Sequence, residues 1–377
     1  MSVSSSRMRL LFIFNNFYFP QFVGGAQTST HDLCVALRAR GHDVAVLCAL
    51  SQRGILGLMN RVSRRLRPRY QFPRDTIMGY PVFRGWEPVR GISEVLARFD
   101  PSVVVLQGGR KLAVGKECLR VGIPTAVYYR DVASIDGEYA IIDPRFLSLA
   151  NSQFIANSLR AEQVADPIVV PPLVDPERVR VRPRRERVVF VNLNPTKGVE
   201  IAFELARHRP DIPFDFVESW RVPFDDFSQY QRRAAALGNV RVLHSRRDPR
   251  ELYQNAKVVL VPSQVEEGWG RVATEAQVSG IPVLASRRGA LPESVGPGGI
   301  LVEPSARLDA WLAGMSRLWD DDAEYNRLSA AAFKHAQRPD IQPDRLLDHF
   351  LEALRSFAAK PSRAAVLRDA TFAEAST

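Results

Sequence analysis

Two glutamates, Glu267 and Glu275, stand eight positions apart on either side of a Gly268-Trp269-Gly270 segment. Residues 257–262 (KVVLVP) form an apolar run of strand length that stops at a proline, and residues 272–278 read as a helix. The glycines therefore occupy a strand-to-helix turn, where backbone N–H groups point outward and a ligand approaches the main chain closely. A helix start also favours an anion, so this turn is suited to hold a phosphate. Glu267 in the loop and Glu275 a turn into the helix then reach toward sugar hydroxyls on either side.

Other residues suit the same chemistry. Residues 188–198 (VVFVNLNPTKG) end a strand and open a helix, and Lys197 there offers a positive charge to a phosphate. Gly24 and Gly25, in residues 22–27 (FVGGAQ), lie between the first strand and the first helix, where a diphosphate can come close to the backbone. Asp131 follows a strand in residues 128–131 (YYRD) and is also placed to cap the next helix. No strand-to-helix turn carries Gly-x-Gly-x-x-Gly with an acid about twenty positions on, and no P-loop occurs, so a nicotinamide or flavin enzyme loses its main support. Cys34, Cys48 and Cys118 show neither Cys-x-x-Cys spacing nor a neighbouring histidine pair, which favours buried free thiols over a zinc site or disulfides. The one Asp-x-Asp match, Asp320 to Asp322, follows an amphipathic stretch at 308–319 and reads as a solvated helix junction. No metal is therefore expected, and cationic side chains and helix dipoles must hold any anionic leaving group.

The elements that position these residues alternate. A buried-strand run at 9–14 (RLLFIF), a helical stretch at 27–40 stopped by Gly41, and a strand at 43–48 (DVAVLC) make a right-handed βαβ unit. More strand-like runs follow at 103–106, 125–129, 154–156 and 168–170. After an arginine-rich connection a second series runs through 188–191, 214–217, 240–243, 258–261 and 282–285. Two such series imply two Rossmann-like domains, residues 1–170 and 171–345, divided near Pro171-Pro172. Residues 345–357 read as a helix with Leu346, Leu347, Phe350, Leu351 and Leu354 on its apolar face, and 361–377 as a mobile tail.

The glutamate pair resembles the Glu-x7-Glu motif of the retaining glycosyltransferases of family 4. Pro262-Ser263, the run Gly280-Ile-Pro-Val-Leu-Ala-Ser286 and Gly289-Ala-Leu-Pro-Glu293 fall in the order and at the distances that family shows. The resemblance implies the GT-B fold: two facing Rossmann-like domains, with a last helix, near 346–360, crossing back onto the first. It places the nucleotide-sugar donor mainly on the second domain and the acceptor on the first. It also implies same-face attack with retention of the anomer, the leaving phosphate oxygen accepting the acceptor's proton. In that scheme Glu275 grips the ribose, while Glu267 and the backbone of Gly268, Trp269 and Gly270 position the hexose. Lys197 meets the departing diphosphate, Gly24 and Gly25 lie beside it, and Asp131 is the aspartate of the family's His-Asp pair. Two positions depart from the pattern: Asn192 stands where members usually carry arginine, and Arg130 where they carry histidine. Arg271, where the family is commonly apolar, is a candidate to restore the missing charge at the donor, with Arg130 and Arg246 next in line.

Composition fits a two-domain enzyme: 377 residues, 46% apolar and 24% charged. The formal charge is +10, most of it in residues 1–170. Its densest part, Arg61, Arg64, Arg65, Arg67 and Arg69, follows the apolar residues 55–59 (ILGLM) and predicts an amphipathic segment with a basic flank. An anionic membrane surface or a phosphate-bearing acceptor fits it; nucleic acid does not, because no DNA- or RNA-binding motif accompanies the charge. Residues 1–7 are too short and polar for a signal peptide, and no apolar run approaches the roughly eighteen residues of a membrane span. A cytoplasmic protein, working at the inner face of the membrane, is the expectation. Two alternatives stay open here: a sugar-nucleotide epimerase of the same architecture, and a non-catalytic nucleotide-sugar-binding protein, which would account for the arginine and histidine that are replaced.

Overall fold

The computed structural model describes residues 7–51, 54–66, 72–108, 111–135, 141, 143–163, 166–219, 224–245 and 248–359. Arg67, Arg69, Arg246, the side chain of Arg64 and the 361–377 tail lie outside the described residues.

The first sheet contains β1 (Arg9–Phe17), β2 (Asp43–Ala49), β3 (Arg74–Asp75), β4 (Val82–Gly85), β5 (Val103–Gln107), β6 (Thr125–Tyr129), β7 (Leu147–Ala150) and β8 (Ile168–Val169). Their order is β3-β4-β2-β1-β5-β6-β7-β8, parallel except where β3 meets β4. Helices α1 (Gly25–Ala39), α2 (Gly54–Leu66), α3 (Ile92–Phe99), α4 (Lys111–Arg120) and α5 (Gln153–Ala161) connect them. Both faces of a parallel sheet are covered, so its strands are apolar throughout, with alternate side chains going to opposite layers. Leu10, Phe12 and Phe14 enter one core with Val44, Val46, Val103 and Val105, while Leu11 and Ile13 enter the other with Ala45, Leu47, Val104 and Leu106. β1 extends three residues past its apolar run because, after a register shift, Phe17 pairs with Ala49 at the end of β2.

The second sheet holds β9 (Arg187–Val191), β10 (Phe214–Val217), β11 (Val240–Leu243), β12 (Ala256–Val261), β13 (Val283–Ser286) and β14 (Gly299–Val302), ordered β11-β10-β9-β12-β13-β14. Its helices are α6 (Pro176–Val179), α7 (Val199–His208), α8 (Phe224–Leu237), α9 (Arg250–Tyr253), α10 (Arg271–Gln277), α11 (Leu291–Val295), α12 (Leu308–Trp319) and α13 (Asp322–His335). Asp321 caps α13 by accepting from the Glu324 N–H, and Asp320 pairs with Arg209, so this acidic triplet serves a helix junction.

A final helix, α14 (Pro343–Ala358), leaves the second domain and completes the first. Leu346, Leu347, Phe350, Leu351 and Leu354 are buried in the core that holds Leu10 and Phe12, and the Phe350 ring stacks on Phe12 at 6.4 Å. Arg40 at the end of α1 pairs with Asp344 and Asp348 of α14.

Each sheet has one place where the chain order reverses, between β1 and β5 in the first and between β9 and β12 in the second. In open α/β sheets ligands bind in the crevice outside the carboxyl ends of the strands at such points. The loops after these four strands define where the site must be.

Candidate functional site

The second crevice brings Lys197 and Glu267 together across seventy residues. Lys197 ends a short 3-10 turn (Pro195–Lys197) after β9, and Glu267 lies in the loop after β12. Lys197 Nζ is 2.6 Å from Glu267 Oε1, and Ser263 Oγ donates to the same oxygen at 2.5 Å. The two loops are tied by Gln264 N–H donating to the Thr196 carbonyl, and the Glu267 carbonyl accepts from the N–H of Ala290. The Gly289-Ala-Leu-Pro-Glu293 segment thus braces the glutamate from behind.

Glu275 projects from α10 and is held at both oxygens. Tyr253 donates to Oε2 at 2.7 Å, and Arg271, one turn earlier, donates to Oε1 at 3.1 Å. Burial first, and then the negative charge of Glu275, push the Tyr253 hydroxyl well above its ordinary range, so it stays a donor. Arg271 meanwhile turns to the first domain, reaching Asp32 Oδ2 at 2.8 Å, Ser29 Oγ at 3.0 Å and the Leu173 carbonyl at 2.7 Å. Burial opposes its charge, but Glu275 and Asp32 hold the guanidinium above its usual range. Asp32 also accepts from Arg178. In this arrangement Arg271 bridges two domains, and any contact with a phosphate requires it to exchange partners.

The Gly-Trp-Gly turn differs from the sequence expectation in what its residues touch. Gly268 is pressed against the first domain: a Cβ there would lie 1.9 Å from the Arg130 carbonyl oxygen. Gly270 adopts a left-handed φ of 93° just before α10, which glycine alone takes without strain. Trp269 is buried, its indole N–H donating to Thr274 Oγ1 of α10 at 3.0 Å and its ring lying 5.5 Å from the Arg338 guanidinium, so its side chain is a structural element of the turn.

Asn192 follows β9 with a left-handed φ of 82°, a conformation asparagine tolerates far better than arginine. Its carbonyl accepts from the Asn194 N–H, and its buried side-chain oxygen has no hydrogen-bond partner. An arginine returned to this position would have to move the backbone.

On the first domain, Gly24 precedes α1 and is buried, whereas Gly25 is exposed at the first turn. Asp131 is exposed after β6 and is not among the residues in contact with Glu267 or Glu275. Arg130 points into the first crevice, donating to Gln107 Oε1 at 2.6 Å and to Thr30 Oγ1 at 3.3 Å. The domains are further joined where Glu293 accepts from the N–H groups of Gln153 and Phe154 at 2.8 and 2.6 Å, capping α5 from the opposite domain. Tyr253, Asp32, Gln107 and Glu293 escaped the sequence reading. Only Glu293 carried a signal, its place in the Gly-Ala-Leu-Pro-Glu run.

Two doubly wound sheets facing one another, with charged side chains at both crevices, define a two-domain α/β protein of the GT-B kind. Residues 23–178 match the model of glycosyltransferase family 4, and residues 176–335 that of the glycosyl transferases group 1. The chain belongs to this glycosyltransferase family. It is similar to a D-inositol 3-phosphate glycosyltransferase of Corynebacterium aurimucosum, 42% identical over 29% of this chain and 27% of that protein. A protein of the same name from Segniliparus rotundus is 30% identical over 60% of this chain and 57% of its own length. The chain thus spans between about a quarter and three-fifths of these two curated relatives. Among solved structures, Anabaena HepE in complex with UDP and glucose superposes with a TM-score of 0.73, covering 93% of this chain and 100% of that one at 19% identity, a likeness of fold.

Proposed function

We propose that the protein is an anomer-retaining glycosyltransferase that moves a sugar from a nucleoside-diphosphate sugar to a glycan, lipid-linked or small-molecule acceptor without a metal ion. The observation that carries this reading is the Lys197–Glu267 pair at the switch point of the second sheet, facing the first domain. When the donor diphosphate arrives, Lys197 leaves Glu267 for the phosphate, and Glu267 turns to the sugar hydroxyls. Glu275, oriented by Tyr253 and Arg271, accepts from the ribose hydroxyls. The acceptor hydroxyl oxygen bonds to the anomeric carbon on the face the diphosphate leaves, the carbon–oxygen bond to phosphate breaks, and the hydroxyl proton passes to the departing phosphate oxygen. Positioned charge supplies the catalysis. In this scheme Gly24 and Gly25 lie beside the departing diphosphate, and Asp131 takes the place of the family's catalytic-site aspartate on the first domain.

A thermal-shift panel of UDP, GDP, ADP and dTDP identifies the base, since a ligand at about a hundred times its dissociation constant adds roughly 2.7 kcal/mol of stability. Glu275→Ala is expected to cost about 1.5–3 kcal/mol of binding to that nucleotide. Equal affinity in the variant and the wild type would remove the assigned role. Transfer of labelled sugar to an acceptor separates this reading from an epimerase, and donor turnover of any kind separates it from a binding protein.

The same reading puts the enzyme at an anionic membrane face on the cytoplasmic side. Its support is α2, where Ile55, Leu58, Met59, Val62 and Leu66 recur at helical spacing on the solvent side, Ile55 at 78% and Leu66 at 77% exposure, with Arg61 and Arg65 exposed beside them. No helix among the described residues is long and apolar enough to cross a membrane. Each arginine near anionic lipid is expected to add about 1 kcal/mol of attraction that fades with salt. Equal sedimentation with neutral and anionic vesicles at low salt would reject this placement.

A further inference from the structure

The crevice of the first sheet holds a cation that has no ion-pair partner among the described residues. Arg130 follows β6, and its guanidinium is received by Gln107, the last residue of β5, and by Thr30 of α1, both neutral. It lies 4.0 Å over the Tyr128 ring, which steadies a cation without cancelling its charge. Among the described residues no carboxylate comes within ion-pair distance of it, while the other interdomain arginines, Arg271 and Arg178, both rest on Asp32. Burial is the leading influence on Arg130 and pulls its pKa below the ordinary value; Tyr128 and Asp131 act against it, and Arg271 adds repulsion.

Donors are in surplus around it. Gln107 is 1% exposed, and its Oε1 accepts from Arg130 Nε, which fixes the amide orientation; the single Thr30 hydroxyl proton is shared between this oxygen and the Ala26 carbonyl, each at 2.9 Å. Its Nε2 is buried with no partner. Arg130 Nη1 likewise has no protein acceptor among the described residues, since Nε and Nη2 make its hydrogen bonds. Buried cations and buried N–H groups are normally matched. Among the described residues the buried Gln107 Nε2 has no match, and an acceptor that answers it beside the half-buried guanidinium has the chemistry of an anion.

The location says which ligand brings it. The Arg130 carbonyl abuts Gly268, the residue that leads from Glu267 into the Gly-Trp-Gly turn, so this crevice adjoins the place where the transferred sugar would sit. We propose that Arg130, with the Gln107 amide, binds a carboxylate or phosphate group carried by the transferred sugar or by its acceptor, and so selects an acidic substrate. Arg130 is then a specificity-determining residue and Gln107 the residue that positions it. The proposal rests on the glycosyltransferase reading above.

The test uses the full-length protein saturated with whichever nucleoside diphosphate stabilises it, so that the donor-phosphate site is filled. Glucuronate, glucose 6-phosphate and glucose are then titrated calorimetrically into wild type, Arg130→Gln and Arg130→Lys. One of the two acidic sugars is expected to bind the wild type about tenfold or more tightly than glucose. Arg130→Gln is expected to erase that preference, and Arg130→Lys to restore part of it. Preference for glucuronate assigns the anion to a uronic-acid sugar, and preference for glucose 6-phosphate to a phosphate ester. Nucleotide binding in all three proteins, but no preference for either acid over glucose, or a preference untouched by Arg130→Gln, overturns the proposal while leaving the function standing. Failure of every nucleoside diphosphate to bind the wild type would instead sink the glycosyltransferase reading.

Discussion

The two strand-to-helix turns at the cleft look alike in sequence, each a pair of glycines leading into a helix, yet their glycines do different jobs. In the turn before α10, Gly268 lies against the first-domain backbone and Gly270 holds a left-handed φ, with a would-be Cβ 2.6 Å from Leu291 Cδ2. In the turn before α1, a Cβ on Gly25 would meet nothing within 4 Å. The second-domain turn needs glycine to join two domains. In the first-domain turn Gly24 is closed in by the side chains of Gln27 and Phe22, each 2.8 Å from a would-be Cβ, and only Gly25 is open, which is the room beside a helix start that a ligand uses.

Gly268→Ala should therefore have the largest effect, because neither the Arg130 main chain nor the turn can move aside independently. A loss of about 1–3 kcal/mol in denaturant unfolding, with a fall in activity, is expected from the overpacking. An unchanged midpoint would mean that the domains part easily at this contact. Glu293→Ala probes the same interface through a side chain, removing a carboxylate from two N–H groups of α5. The expected cost is about 0.5–2 kcal/mol, read from the thermal midpoint, with Glu293→Gln recovering part of it. Gly25→Ala is the contrasting case. It should leave stability unchanged or raise it by about 0.4–1 kcal/mol, since the site is helical and open. If a diphosphate approaches there, the same variant loses donor affinity by isothermal titration without losing stability. A destabilised Gly25→Ala would erase the difference between the turns.

Much of the architecture is legible in the chain because parallel strands buried on both faces read as continuous apolar runs. The residues 188–191 and 258–261 lie within β9 and β12, and α10 begins at Arg271, within one residue of the turn's end. The Lys197–Glu267 contact was foreshadowed only as two residues at one site, not as a pair. What stayed hidden depends on partners from the opposite domain. Arg271 finds Asp32 across 239 positions, and Glu293 finds α5 across some 140. Periodicity describes what one element buries and is silent about which side chain meets it from another.

The crossing of α14 bears on how the chain is made. Domains commonly fold in order as they leave the ribosome. Here the first domain is synthesised first, but its core lacks Leu346, Leu347, Phe350, Leu351 and Leu354 until α14, which follows the second domain, has emerged. During the translation of the second domain, an apolar groove flanked by Phe12 and Leu37 waits open for its helix. A ribosome stalled near residue 340 would display a folded sheet with that groove uncovered, a form suited to chaperone capture, and the emergence of α14 would close that window.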